Sequence, residues 1–260
     1  MLYHELRLLL VAIQFLTRLP VPALTHYQPD WLHQSSRYFP AVGLLVGGLC
    51  AALYWLASLW FTPLVAAVVS TAFGIRLTGA FHEDGLADTC DGLGGGLTRE
   101  SALTIMKDSR LGTFGTLGLV LALLLKVSLL ASMPAGLAVA ALIIGHGGSR
   151  LACISLIALL PYGGDLDHAK AKPMAQQLTP GQGLIGALWL LLPLLLACYW
   201  LPQFSPLQWL LPLGLGLLVT DHMRRLLKRR LGGYTGDGLG ATQQLCELAC
   251  YAGIAAQLPL

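Results

Sequence analysis

Residues 113–133, TFGTLGLVLALLLKVSLLASM, decide the fold: an apolar run of this length, with Lys126 as its one charge, is what a helix needs to cross a hydrocarbon core. The composition agrees. Of 260 residues, 55% are hydrophobic and only 11% charged, and the mean hydropathy is +0.68, far from a soluble domain. Further apolar runs at 40–62, 63–82, 135–160, 184–204, 207–222 and 243–258 bring the expectation to about seven transmembrane helices. Pro63, Pro134, Pro161, Pro202 and Pro206 punctuate their boundaries, where a residue that ends helices belongs. The expected fold class is all-α, a polytopic membrane helix bundle forming one integral membrane domain over 1–260.

The first 39 residues lack the basic start and small-residue cleavage site of a signal peptide, and 8–16 is too short to span. They predict an interfacial N-terminal helix, with Leu2, Leu6, Leu9, Leu10 and Ile13 on the apolar side and Glu5 and Arg7 turned to water. Threading the spans from there puts the long loops 83–112, 161–183 and 223–242 on one side of the membrane. All 16 Lys and Arg except Arg76, Lys126 and Arg150 fall on that side, which the positive-inside rule makes cytoplasmic. The net charge of +3 is thus mainly topological, and the run Arg224, Arg225, Lys228, Arg229, Arg230 is first an orientation signal. Six scattered cysteines without a CxxC imply neither disulfides nor zinc. Cys246 and Cys250 share a helical face as packing residues.

The chemistry is concentrated at 82–92, HEDGLADTCDG, where four carboxylates crowd into nine residues of an otherwise apolar chain. On a helix Asp84, Asp88 and Asp91 fall at i, i+4 and i+7, a stripe of like charge that repels itself unless a cation sits within it. Hard carboxylate oxygens suit Mg²⁺ or Mn²⁺, which points to transfer at phosphorus. Gly85, Gly92 and Gly94 to Gly96 are expected to let backbone approach a bulky phosphate ligand. Residues 106–115, MKDSRLGTFG, add Lys107 and Arg110 to neutralise a diphosphate, with Asp108 as a further ligand or as the partner that orients Arg110. A second Gly-rich segment, GGYTGDGLGATQQLCE at 232–247, places Asp237 in a candidate ligand loop, and Gln243, Gln244 and Glu247 at the start of the last span. No strand precedes it, so a dinucleotide-binding reading fails on context. Within the spans Arg76, Lys126, His146 and Arg150 need partners and are expected to line the substrate cavity, with Arg76 and Arg150 reaching phosphate.

These residues resemble the adenosylcobinamide-GDP ribazoletransferases, the cobalamin synthase family. The resemblance covers nearly the whole chain and rests on FLTRLPVP at 15–22, YFPAVGLLVG at 38–47, TGAFHEDGLADTCDG at 78–92, IMKDSRLGTFG at 105–115 and GGYTGDGLGATQQ at 232–244. PYGG at 161–164 departs from it, since many members carry a basic residue after the tyrosine. The resemblance implies a Mg²⁺-dependent enzyme of the bacterial cytoplasmic (inner) membrane, with its active site facing the cytoplasm. The donor would be adenosylcobinamide-GDP and the acceptor α-ribazole or its 5′-phosphate. GMP would leave, and adenosylcobalamin or its 5′-phosphate would form. Asp84, Asp88 and Asp91 become metal ligands, Glu83 a ligand or general base, and Arg110 with Lys107 the diphosphate binders. Arg76, His82, Asp108, Arg150, Asp237 and Gln243 are assigned to substrate.

Two other readings compete. A CDP-alcohol phosphotransferase also displaces a nucleoside monophosphate at a membrane interface, but its Ala-Arg pair is missing here, since Asp88 follows Ala87. The intramembrane charges allow a cation-coupled transporter, against which stand the one-sided acids. No nucleic-acid partner is expected. Gly43, Gly47 and Gly48 allow close helix contact within one chain or in a homo-oligomer.

Overall fold

The computed structural model describes residues 2–22, 28–164, 178–201 and 209–256. They form eleven helices: α1 Leu2–Leu16, α2 Pro29–Ser35, α3 Phe39–Ser58, α4 Pro63–Thr78, α5 Phe81–Gly95, α6 Arg99–Lys107, α7 Thr113–Ser132, α8 Ala135–Leu159, α9 Pro180–Trp200, α10 Leu210–Leu231 and α11 Gly236–Ala255. A 3-10 turn, Ser36–Tyr38, joins α2 to α3. Prolines open α4 and α9, while Thr98 and Thr179 start α6 and α9 with reciprocal capping boxes to Ser101 and Gln182. Pro202, Pro206, residues 165–177 of the expected 161–183 loop and the last residues of the 243–258 run lie outside the described residues.

Among the described residues four stretches are long and apolar enough to cross a membrane: Asp30–Ser58, Thr113–Ser132, Ala135–Leu159 and Pro180–Trp200. A fifth results if α4 and α5, bent by 89° at a short break, count as one span. This is fewer than seven because two helices fail the apolar test for physical reasons. The second half of α10 is basic, and α11 carries Gln243, Gln244 and Glu247 turned into the protein rather than toward lipid. By contrast α7 and α9 expose leucines along their lengths, among them Leu117, Leu121, Leu124, Leu188, Leu192 and Leu195. Such faces suit hydrocarbon.

The core is organised around α8 and α11. Gly43 and Gly47, one turn apart on α3, are pressed against the backbone of α8 at His146 and Leu142; a Cβ at Gly47 would stand 2.5 Å from the Leu142 carbonyl oxygen. Those two glycines are therefore used within one chain, whereas a Cβ on Gly48 would meet nothing within 4 Å.

The N-terminal helix packs one face against the protein and leaves another outward. Its buried residues are Leu8, Val11, Ala12 and Leu16, while Leu6 is exposed and Leu9, Leu10 and Ile13 are only half-buried. Glu5, whose side chain is 36% exposed, takes Arg37 Nη2 at 3.0 Å and the Tyr38 hydroxyl at 2.5 Å. The Arg7 guanidinium lies 4.1 Å from the centre of the Tyr3 ring. The helix is tied to the 3-10 turn before α3 through the Glu5 contacts to Arg37 and Tyr38.

The elbow between α4 and α5 positions the site. Gly79 ends α4 at φ +72°, and Ala80 follows at φ +61°, a conformation costly for a residue with a Cβ. The segment after α1 holds it there: Arg18 N–H donates to the Leu77 carbonyl at 2.7 Å, and the Arg18 side chain covers Gly79 so closely that a Cβ would strike Nε. Phe15 meets Phe81 edge-on at 5.1 Å between ring centres. The FLTRLPVP motif thus braces the bend that sends α5 across the bundle.

Candidate active site

The acidic stretch expected within a loop at 83–112 is helical, as α5 and α6. Its i, i+4, i+7 spacing was compatible with a helix, and its glycines serve packing. Gly85 lies against the backbone of Asp237 and Gly240 on α11, Gly92 against Ala102 and Met106, and Gly94 against Phe114. None of these contacts is open backbone awaiting a phosphate, so that expectation is corrected. Gly240 meets Gly85 reciprocally, which brings α5 and α11 into close contact.

The four carboxylates are dealt to different surroundings. Asp84 is exposed, and Asp88, one turn on, is half-buried. Asp91 is buried and accepts two backbone N–H groups from the start of α7, Gly112 at 2.7 Å and Gly115 at 2.8 Å, one on each oxygen. It caps that helix from outside, adding negative charge where the dipole favours it. Gly112 and Gly115 are required here, since a Cβ on either would collide with the Asp91 carboxylate. Glu83 is 6% exposed and turned inward, its Oε1 accepting from Gln244 Nε2 at 3.0 Å. Among the described residues no three His, Cys, Asp or Glu side chains converge to hold a metal, so the four acids do not form one cage.

Beyond Asp91, Asp108 ends α6 and accepts from Arg110 through N–H at 3.0 Å, Nε at 3.0 Å and Nη2 at 2.5 Å. Hydrogen bonding to Asp108 raises the Arg110 pKa, while the guanidinium stays 87% exposed and open to an anion. Lys107 closes α6 beside it.

Inside the bundle, Glu247 gathers the charges expected in the spans. Lys126 Nζ lies 2.5 Å and the Tyr251 hydroxyl 3.0 Å from its Oε1, while Gln243 Nε2 lies 2.6 Å and His146 Nδ1 3.2 Å from its Oε2. Arg150, 1% exposed, donates from Nη1 to the His146 carbonyl at 2.9 Å, and Gln243 Nε2 also reaches Ser149 Oγ at 3.0 Å. Arg150 and Gln243 are therefore inside this network and not on the face of α5 that carries Asp84. His82 is likewise buried, whereas Arg76 is exposed on the last turn of α4.

The ends of α5 and α10 are fastened to each other by residues that sequence reading treated only as charge. Arg230 Nη2 donates to the Leu93 and Gly96 carbonyls at the end of α5, at 3.1 and 2.6 Å. Arg99 donates from Nε to Leu231 O and from Nη2 to Gly163 O, both at 2.8 Å. The PYGG turn pairs with the second Gly-rich segment: Gly163 N–H donates to Tyr234 O at 2.8 Å and Tyr234 N–H to Pro161 O at 3.0 Å. Burial pushes the Tyr234 phenol up to about 12, so it stays protonated. Thr235 then caps α11 by accepting from Gly238 N–H, and Asp237 sits half-buried on that first turn, with its backbone beside Gly85. The segments 83–112, 161–164 and 223–242 thus meet at one end of the bundle.

A family described as cobalamin-5-phosphate synthase matches residues 8–255. The chain belongs to this family. Relatives named adenosylcobinamide-GDP ribazoletransferase are similar over nearly the full length. The one from Leptothrix cholodnii is 51% identical, covering 97% of this chain and 96% of its own. That from Polaromonas sp. strain JS666 is 46% identical, covering 96% of each, and that from Shewanella pealeana 45% identical, covering 95% of this chain and 94% of its own. No solved structure matches. Membership in the cobalamin-5-phosphate synthase family agrees with the resemblance read from the motifs. What those motifs could not convey is that HEDGLAD points its acids in two directions. No local signal marks Arg99, Arg230 or Glu247 either, since their partners stand 64 or more residues away in the first case, 134 or more in the second and on three helices in the third.

Proposed function

We propose that this chain transfers adenosylcobinamide phosphate from adenosylcobinamide-GDP to α-ribazole or its 5′-phosphate, releasing GMP. The observation that carries the proposal is near full-length similarity to relatives bearing that transferase's name, together with an acid helix whose Asp84 is presented outward. A ribose hydroxyl oxygen forms a bond to the phosphorus nearest the corrinoid, the bond from that phosphorus to the GMP oxygen breaks, and the hydroxyl proton is released. Neither the CDP-alcohol nor the transporter reading gains comparable support from the relatives.

A Mg²⁺ ion fits this site only in one form. Both Asp91 oxygens are occupied by α7 amides and Glu83 faces Gln244, so a four-carboxylate cage does not fit. Asp84 and Asp88, one turn apart on a single face, fit an ion that takes one or two carboxylates and leaves its other positions to water and substrate phosphate. When bound, the ion would neutralise the diphosphate and acidify the attacking hydroxyl. Arg110 and Lys107 bind diphosphate oxygens from the α7 end, Arg76 from the elbow end, and Asp237 closes the face from α11. Asp108 orients Arg110, while His82, Gln243 and Arg150 support the face from within.

The meeting of 83–112, 161–164 and 223–242 at one end supports placing the site on a single side of the membrane. Their Lys and Arg content makes that side cytoplasmic, in the inner membrane of a bacterium. Seven crossings remain our topology, with α11 crossing under the cover of its neighbours and α10 through its leucine-rich first half, where Leu210, Leu213, Leu217 and Leu218 are exposed. The test is to supply purified protein in lipid with adenosylcobinamide-GDP and α-ribazole, with and without Mg²⁺. Equimolar GMP and adenosylcobalamin, dependent on the metal, is expected. Absence of GMP from folded protein with intact substrates overturns the reading.

A further inference from the structure

Glu83 is adjacent to Asp84 in sequence yet serves the opposite side of α5. Successive helical residues are about 100° apart, so whatever fixes Glu83 inward also fixes where Asp84 aims. The fixing runs through α11. Gln244 Nε2 donates to Glu83 Oε1 at 3.0 Å and to Gln243 Oε1 at 2.9 Å, and Gln243 Nε2 donates to Glu247 Oε2 at 2.6 Å. Glu247 is in turn held by Lys126 of α7 and His146 of α8. The rotation of the acid helix is thereby referenced to three others. The second Glu83 oxygen, Oε2, is buried without a hydrogen-bond partner among the described residues.

We propose that Glu83 is a positioning residue, which through Gln244 sets the rotation of α5 and so the aim of Asp84 and Asp88, and that it neither binds metal nor accepts the substrate proton. This rests on the reading of Asp84 and Asp88 as the phosphate-facing pair. A glutamine at position 83 retains the acceptor for Gln244, and its amide nitrogen replaces an oxygen that has no bond to lose. Alanine at 83 removes the contact, and alanine at 244 removes the same contact from the other side.

The experiment compares Glu83→Gln, Glu83→Ala, Gln244→Ala and the double alanine variant with the parent protein in lipid, following GMP release over a range of Mg²⁺ concentrations and thermal unfolding. Glu83→Gln is expected to keep kcat within about threefold, while Glu83→Ala and Gln244→Ala each lower it about tenfold, as loss of one buried hydrogen bond allows. The double variant falls no further than either single one, and half-saturating Mg²⁺ is unchanged throughout. The inference is overturned if Glu83→Gln is as inactive as Asp84→Asn while Gln244→Ala turns over normally, or if half-saturating Mg²⁺ rises in the Glu83 variants. Should Glu83→Ala not fold, Glu83→Gln against Gln244→Ala still decides. If the parent protein released no GMP, the reaction reading would fail separately. Coupled unfolding losses at 83 and 244 would then still support the contact, and additive losses would overturn it.

Discussion

The outward face of α5 and the interior cluster around Glu247 use the same residue types to opposite ends. In the interior, one carboxylate is met by Lys126, His146, Gln243 and Tyr251 from three helices. On the outward face, Asp84 is open to solvent, with Asp88 half-buried one turn on. Charge that is buried must be matched within the protein. Charge that is presented is matched by what arrives. The difference separates residues that hold α5 from residues that would act on a ligand, although HEDGLADTCDG mixes the two.

Substitutions sharpen this contrast in decreasing order. Asp84→Asn should lower turnover by at least about 10³-fold, the scale of losing a metal-held transition-state contact, with the thermal midpoint unmoved. Chelating Mg²⁺ should do the same, and wild-type rates in Asp84→Asn would sink the metal assignment. Glu247→Ala should instead destabilise the fold by about 3–5 kcal/mol by stranding Lys126, read by thermal unfolding in lipid. Removing Lys126 as well should return part of that loss. Asp91→Ala should cost about 1–2 kcal/mol through two lost acceptors at the start of α7, with turnover hurt far less than in Asp84→Asn. If the two variants proved equally inactive, Asp91 would belong with the presented acids after all. Arg110→Ala should raise the KM for the nucleotide donor about tenfold at unchanged stability. At the small end, Lys228→Ala on exposed α10 should stay within about 0.5 kcal/mol of the parent protein.

Hydropathy revealed α7 and α9 well because their exposed leucines face the surroundings, so each residue's environment is legible from its own type. It was less informative for α10, whose second half is basic and partly exposed, and for α11, where burial against neighbours lets polar residues sit inside. The spacing of Asp84, Asp88 and Asp91 held the helical period, but the direction of each acid did not follow from it. Asp91 is claimed by Gly112 and Gly115, and Glu83 by Gln244, at separations of 21, 24 and 161 residues. The glycines posed the same difficulty. Gly85 and Gly92 read as room for phosphate, yet their space is filled by α11 and α6. A missing side chain announces close approach without naming what approaches. Arg18 in FLTRLPVP carried no functional reading at all, because its meaning lies in the bend at Gly79 and Ala80.

The 161-residue separation between Glu83 and Gln244 also bears on how the molecule is made. A ribosome delivers α5 to the membrane long before α11 exists, so the nascent acid helix waits with its inward carboxylate unmatched through the synthesis of five further helices. Only when α11 inserts does α5 acquire its hydrogen bond to Gln244. On the proposed role of Glu83, a chain stalled before that point would carry every acid of α5 without the contact that sets their direction.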